Sequence, residues 1–177
     1  MDFWLLYLAT GVFAGFLAGL LGVGGGLVIV PVLASLFAAQ HFPSGQIMHL
    51  ALGTSLTSIM FTSVSSLRTH HAHGAVNWQV VRDITPGIIA GTLAGTVLAA
   101  QLSTAFLKVF FVVFLYYVAT QMVMNIKPKP SRELPRAAGM FGAGGIIGAV
   151  SSLVGIGGGT LSVPFMTWCN VKMHQAI

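Results

Sequence analysis

The stretch LLGVGGGLVIVP, residues 20–31, places four glycines within five positions and a proline five residues later, with apolar segments on both sides. Glycine and proline destabilise a helix interior, so this stretch predicts a break in an otherwise helical chain. Irregular backbone within a bilayer is tolerated only where protein or a water-filled cavity surrounds it. The stretch therefore predicts a buried break between two helices.

The composition indicates an integral membrane protein. Of the 177 residues, 55% are hydrophobic and 6% are charged, whereas soluble domains carry roughly 25% charged residues. No Asp, Glu, Lys or Arg occurs from Phe3 to Leu67, which is long enough for more than one span of about 20 residues. The start lacks the basic region of a signal peptide. The single cysteine, Cys169, excludes an internal disulfide and a cysteine metal cluster.

Apolar length predicts an all-α, polytopic helical bundle. The segment 27–39 would reach about 20 Å, short of a roughly 30 Å hydrocarbon core. Basic residues lie in loops between the apolar runs, which argues against a nucleic-acid partner. The predicted helical segments are 3–21, 27–39, 47–67, 84–102, 105–124 and 137–169.

The loops predict the orientation of the bundle. Loop 68–83 and linker 125–137 hold six of the eight basic residues, with two predicted spans between them. The positive-inside rule makes both loops cytoplasmic, in a multi-pass protein of the cell inner membrane.

The opening stretch occurs twice. Residues 11–33 (GVFAGFLAGLLGVGGGLVIVPVL) align without a gap to residues 144–166 (GGIIGAVSSLVGIGGGTLSVPFM), and nine of the 23 positions are identical. Gly22 matches Gly155 and Pro31 matches Pro164, both 133 positions later. This duplication predicts a first repeat over 1–124, a linker over 125–137, and the start of a second, incomplete repeat over 138–177.

The relative direction of the two repeats depends on the break. If the break separates two spans, the first unit has five spans and the repeats are inverted, as in many secondary transporters. If the broken pair crosses only once, the unit has four spans and the repeats are parallel. The position of Lys172 favours the inverted arrangement.

Paired breaks predict a substrate site. A helix that restarts after a break directs free N–H groups and its dipole at an anion, and such breaks in corresponding halves mark transporter binding sites. Glycine packing alone is the alternative for these clusters, and helix–helix bonding is the alternative for the hydroxyls. The candidate substrate-binding residues are Gly22, Gly24, Gly25, Gly26, Thr54, Ser55, Gly155, Gly157, Gly158, Gly159 and Thr160.

Other patterns predict packing rather than chemistry. Two ladders of glycines spaced by four, Gly11 to Gly19 and Gly87 to Gly95, predict close helix contacts.

The loop histidines 70, 71 and 73 lack partners for a metal site, whereas His49, near the mouth of a span, is a functional candidate. The three acidic residues lie at ends or in loops, which argues against an enzyme with paired carboxylates. We expect no cofactor and no bound metal.

The chain resembles the sulfite exporter TauE/SafE family. The similarity lies in GLLGVGGGLVIVPVL, its second copy SLVGIGGGTLSVPFM, LALGTSL at 50–56, the loop HAHGAVNW and the glycine ladder after it, so it covers nearly the whole chain in order. The resemblance implies a bacterial-type inner-membrane carrier, an exporter of sulfite, sulfonates or related organic acids. The second copy ends at KMHQAI, where GTS would follow, so the chain resembles a truncated member.

Three functions follow from these patterns. The first is a membrane transporter that binds small anions between two glycine-broken helices. The second is an anion channel of similar build, which saturable counterflow would distinguish from a carrier. The third is a non-transporting fragment or structural membrane subunit. The expected partners are a small anion and the lipid bilayer, with a homo-oligomer as the means of completing a partial site.

Overall fold

Seven helices form the protein over the residues that the structure, a computed structural model, describes, namely 3–21, 25–74, 76–124 and 135–170. By length and composition, four of these helices are each able to cross a membrane, namely Ile47–Ala72, Trp78–Gln101, Thr104–Val123 and Ala137–Val154. No strand occurs in these ranges, and the predicted all-α membrane bundle is confirmed. The helices are α1 Phe3–Leu21, α2 Gly26–Ala39, α3 Ile47–Ala72, α4 Trp78–Gln101, α5 Thr104–Val123, α6 Ala137–Val154 and α7 Gly159–Trp168.

Side-chain caps set where α4 and α5 begin. The side-chain oxygen of Asn77 accepts hydrogen bonds from the backbone N–H groups of Gln79 and Val80, at 3.2 and 3.4 Å. Ser103 accepts one from the N–H of Phe106 at 3.3 Å. Each cap satisfies N–H groups that have no partner inside the helix. Asn77 and Ser103 therefore mark where α4 and α5 begin.

The helices α1 and α2 form an antiparallel pair. The amide nitrogen of Gln40 donates to the hydroxyl of Tyr7 at 2.6 Å, and the rings of Tyr7 and Phe37 lie 6.5 Å apart. Tyr7 is near the start of α1, whereas Phe37 and Gln40 mark the end of α2. The chain therefore reverses direction between the end of α1 and the start of α2.

The helices α4 and α6 pack side by side in the same direction. A Cβ atom at Gly87 would lie 2.1 Å from the carbonyl oxygen of Phe141, and one at Gly91 would lie 2.0 Å from that of Gly145. Both contacts join residues 54 positions apart (141 − 87 and 145 − 91), so the two helices begin at the same end of the bundle. The close contact predicted for the ladder from Gly87 to Gly95 is confirmed, since only glycine permits this approach.

The glycine ladder of α1 makes no such contact in the described part of the chain. A Cβ atom at Gly11 or Gly15 would meet nothing within 4 Å, and both residues are exposed. The prediction of a close helix contact is wrong at these two positions because α1 turns Ala14, which is fully buried, towards the rest of the protein. The surroundings of Gly19 lie outside the description.

The helix α7 runs back along α4 and α6. Its Met166 is buried in one apolar cluster with Val80 and Ile84 of α4 and with Met140 and Ile147 of α6. Val80 and Ile84 lie in the first two turns of α4, and Met140 and Ile147 lie before the last turn of α6. Met166, near the end of α7, is therefore on the side of the bundle where α4 and α6 begin. The predicted apolar stretch 137–169 is thus two helices that reverse direction after Val154, as α1 and α2 do.

The two reversals approach each other from opposite ends of the bundle. The open end of the α1–α2 pair adjoins the start of α3 through the short loop 40–46. The start of α3 lies beside the end of α4, where the ring Nε2 of His49 is 3.0 Å from the carbonyl oxygen of Ala99. The α6–α7 pair opens at the other end, where α4 begins. Between these two open ends, Gly155 at the end of α6 lies against Leu52 and Ser55 of α3.

Candidate functional site

The glycine breaks of the two pairs meet inside the bundle. A Cβ atom at Gly26, the first residue of α2, would lie 2.3 Å from the carbonyl oxygen of Gly155, which caps α6. It would also lie 2.9 Å from the Cα atom of Ile156. Real Cβ atoms do not approach other atoms this closely, so only glycine fits at position 26. We call this meeting point the glycine junction; it consists of Gly25 and Gly26 at the start of α2 and of residues 155–159 between α6 and α7.

The helix α3 holds the second break in place through a buried hydrogen bond. The hydroxyl of Ser55 donates to the carbonyl oxygen of Gly155 at 2.8 Å, and Ser55 is fully buried. Leu52 packs against the same glycine, and Ile59 lies against Gly157. The glycine junction thus lies beside residues 52–59 of α3, within the apolar segment that carries no charge.

Two glycines of the second break adopt a left-handed backbone. Gly155 has a φ of +72° and Gly158 a φ of +74°, a region that costs other residues roughly 1–2 kcal/mol. This conformation lets α6 end and α7 begin within four intervening residues. The chain therefore needs glycine at these positions for the turn itself, whether or not a substrate binds there.

Each restarting helix begins at the glycine junction with amide groups that have no partner within the helix itself. In α2, the N–H groups of Val28 and Ile29 are the first to bond back to Gly25, and in α7 those of Leu161 and Ser162 bond back to Gly158. The one or two amides before them have no partner within their helix. Helix N-termini carry a partial positive charge and attract anions.

The proline of each repeat takes the same place in its helix. Pro31 is the sixth residue of α2, and Pro164 is the sixth residue of α7. A proline inside a helix removes one backbone hydrogen bond to the residue four positions earlier. The two prolines therefore occupy equivalent positions in α2 and α7, as the sequence repeat predicts.

The comparisons with known proteins agree with this architecture. The family model described as sulfite exporter TauE/SafE matches residues 7–177, which is nearly the whole chain. The chain belongs to the sulfite exporter TauE/SafE family. No solved structure matches it significantly.

Similar proteins occur in bacteria and in an archaeon. A "probable membrane transporter protein" of Haemophilus influenzae is 40% identical over 99% of this chain and 67% of its own length. One of Methanocaldococcus jannaschii is 30% identical over 97% of this chain and 64% of its own length. YunE of Bacillus subtilis is 25% identical, over 91% and 66%. This TauE/SafE chain thus spans about two thirds of the length of these relatives.

The structure brings most of the predicted site residues of this TauE/SafE chain to the glycine junction. Gly25 and Gly26 start α2, Ser55 bonds to the second break, and the remaining members 155, 157, 158, 159 and 160 form the turn and the start of α7. Thr54 is exposed and does not reach the junction. Gly22 and Gly24 lie outside the described residues. The proposed binding role of all these residues stays a prediction.

Sequence reasoning missed Ser151. Its hydroxyl is buried with no hydrogen-bond partner among the described residues, as is that of Thr160. Ser151 lies in the last turn of α6, where its carbonyl oxygen accepts the N–H groups of Gly155 and Ile156 at 2.8 and 3.2 Å. The signal in the sequence was a pair of serines in an apolar helix just before a glycine break, but spacing alone does not show which of the two is satisfied.

A cavity of about 340 Å³ lies elsewhere, between the first residues of α4 and α6, and Asp83 and Arg136 are among its lining residues. Because α4 and α6 run in parallel and the second break follows the end of α6, this cavity is at the opposite end of α6 from the glycine junction. Its lining includes none of the predicted site residues.

Proposed function

We propose that this chain forms part of a membrane carrier that exports small sulfur-containing or organic anions, such as sulfite or sulfonates, and that the anion binds at the glycine junction. The observation that carries the proposal is the contact between Gly26 and Gly155. This contact joins the corresponding breaks of two matching segments, next to two helix N-termini. Binding sites of secondary transporters are built from such broken helices.

The charge distribution supports an anion as the substrate. No Asp, Glu, Lys or Arg occurs from residue 3 to 67 or from 137 to 171, so the field at the glycine junction comes largely from backbone dipoles. The free amides of α2 and α7 donate hydrogen bonds, and an anion accepts them. A carrier needs no covalent chemistry for this task, so we propose that the chain is not an enzyme.

The two repeats are inverted in this proposal. The α1–α2 pair and the α6–α7 pair open towards opposite ends of the bundle, and their glycine-rich turns meet. An inverted pair of repeats provides two related conformations, each open to one side, through rocking around a shared site. Two features support the inversion: α1 and α2 turn back on each other, and an odd number of candidate spans, α3 to α5, then precedes the second copy.

The proposed orientation places segment 68–83 and linker 125–137 in the cytoplasm, with the protein in the cell inner membrane. The segment 68–83 was predicted as a loop, but α3 extends to Ala72 and α4 begins at Trp78, so it includes the end of one helix and the start of the next. The parallel packing of α4 and α6 supports it, because both basic segments then lead into helices that start at one end of the bundle. The positive-inside rule makes that end cytoplasmic.

The test is uptake of labelled sulfite and methanesulfonate into proteoliposomes that contain the purified 177-residue chain. We expect saturable uptake with counterflow, which a channel would not show. Gly157→Val should reduce uptake strongly, because its side chain would project towards Ile59 beside the break. Gly15→Val, at an open and exposed position, is the matched control and should transport normally. A folded chain that moves neither anion would contradict the proposal.

A further inference from the structure

Two buried hydroxyls near the glycine junction, those of Ser151 and Thr160, have no hydrogen-bond partner among the described residues. Two other hydroxyls on α6 and α7 bond to a carbonyl oxygen of the preceding turn, that of Ser152 to Ala149 at 2.8 Å and that of Thr167 to Val163 at 2.8 Å. The hydroxyls of Ser151 and Thr160 make no such bond. A buried hydroxyl without a partner lowers stability. The presence of two such hydroxyls close to the break therefore points to a ligand that they bind.

Both hydroxyls lie at the start of α7. The Ser151 oxygen is 3.4 Å from the place that a Cβ atom of Gly158 would take, so it faces the residue that caps α7. Ser151 is 93% buried, with a relative exposure of 7%. Thr160 is the second residue of α7, and the amides of residues 159 and 160 precede the first bond within the helix. The two hydroxyls and these amides thus all lie at or next to the first turn of α7.

The first repeat lacks this set of donors. The positions that correspond to Ser151 and Thr160, 133 residues earlier, are Ala18 and Leu27, and neither side chain can donate a hydrogen bond. The N-terminus of α2 also lies against the carbonyl of Gly155, whose oxygen already accepts the hydroxyl of Ser55. The two halves of the glycine junction are therefore chemically unequal.

We infer that Ser151, Thr160 and the first amides of α7 form the oxygen-binding part of the substrate site, and that it selects a singly charged oxyanion over a doubly charged one. The inference rests on the proposed function. Several donors at one helix end suit an ion with more than one acceptor oxygen. All of them are uncharged, and a second buried charge without a cation beside it is costly. Ile147, near Gly158, gives the site an apolar wall that suits a methyl group.

The experiment measures binding to the full 177-residue chain in nanodiscs by titration calorimetry. The probes are methanesulfonate, sulfate and the uncharged analogue methanesulfonamide. We expect the wild type to bind methanesulfonate at least about tenfold more tightly than sulfate. Binding of methanesulfonamide should be weaker again, because hydrogen bonds to a charged acceptor are the stronger ones.

Four variants locate the site. Ser151→Ala and Thr160→Val remove the unused hydroxyls and should each raise the Kd for methanesulfonate about tenfold or more. Ser152→Ala and Thr167→Val remove hydroxyls that bond within their own helices and should leave the Kd unchanged. In the ligand-free state, the melting temperatures of the first two variants should equal or exceed that of the wild type, because an unsatisfied buried group is lost.

The outcomes distinguish the inferred oxygen-binding site from the proposed transport function. Methanesulfonate binding that is equal in Ser151→Ala, Thr160→Val and the wild type would overturn the inference and leave anion transport intact. Equal affinity for sulfate and methanesulfonate would overturn the charge selection. A lower melting temperature of both variants without ligand would show that the hydroxyls serve the fold. A folded wild type that neither binds nor transports any anion would overturn the proposed function and this inference with it.

Discussion

The hydroxyl of Ser55 donates a 2.8 Å hydrogen bond to the carbonyl oxygen of Gly155, a residue 100 positions further along the chain. This bond ties the middle of a long apolar helix to the turn that ends α6. Gly155 is held on its other side by the start of α2, where Gly26 leaves room for the same oxygen. Three segments of the chain thus depend on one carbonyl group.

Replacement of Ser55 should destabilise the protein. Ser55→Ala removes the donor and leaves the buried oxygen of Gly155 without it, so we expect a loss of about 1–3 kcal/mol. Ser58→Ala is the control, because the Ser58 hydroxyl bonds only to Thr54 of its own helix. Thermal unfolding of both variants in detergent gives the comparison. Equal melting temperatures would show that the bond to Gly155 contributes nothing.

The α4–α6 contact should not tolerate a side chain at Gly91. A Cβ atom there would lie 2.0 Å from the carbonyl oxygen of Gly145, so Gly91→Ala must push the helices apart at a cost of about 1–3 kcal/mol. Gly142→Ala, in α6 at a position with nothing within 4 Å, should be neutral or slightly stabilising, since alanine favours helix. A Gly91→Ala protein as stable as the wild type would refute the parallel glycine contact.

The left-handed turn before α7 should be sensitive to alanine at one position and not at the next. Gly158→Ala places a Cβ atom at a φ of +74°, with only ordinary contacts around it, so backbone strain alone should cost about 1–2 kcal/mol. Gly159→Ala lies in open space at the start of the helix and should cost little. Chemical denaturation of both proteins tests this, and a larger loss for Gly159→Ala would contradict the turn geometry.

The orientation can be measured with single cysteines. Cys169 is buried, and its replacement by alanine provides a background for Ser44→Cys in the loop after α2 and His73→Cys after α3, both exposed positions. In intact spheroplasts, a membrane-impermeant maleimide should label the cysteine at 44 and reach that at 73 only after permeabilisation. The reverse pattern would show that segment 68–83 faces outwards.

The packing of His49 predicts a replacement that keeps the fold. Its ring Nε2 lies 3.0 Å from the carbonyl oxygen of Ala99, which joins the start of α3 to the end of α4. His49→Phe should lose about 1 kcal/mol as this bond is lost. His49→Gln retains a donor and should lose less, which thermal unfolding will show. If both variants unfold at the wild-type temperature, this bond does not stabilise the pair.

The sequence by itself determined the class of the protein and the places where its helices break. The chain has few charged residues and long apolar runs, so its surface suits the interior of a bilayer rather than water. The neighbouring glycines at 24–26 and 157–159 disfavour a continuous helix. Because these are local or compositional properties, they could be read without a structure. The similarity of residues 11–33 to residues 144–166 likewise showed from the sequence alone which break corresponds to which.

Only the tertiary structure decided what each break contacts. The two glycine ladders look alike in sequence, yet Gly91 touches Gly145 and Gly15 touches nothing, because contact depends on which face meets a neighbouring helix. Likewise Ser151 and Ser152 are adjacent serines, and only the first is left without a partner. Burial and side-chain contacts depend on which segments pack together in the fold, such as Gly91 and Gly145, which are 54 positions apart (145 − 91), so spacing along the chain could not assign them.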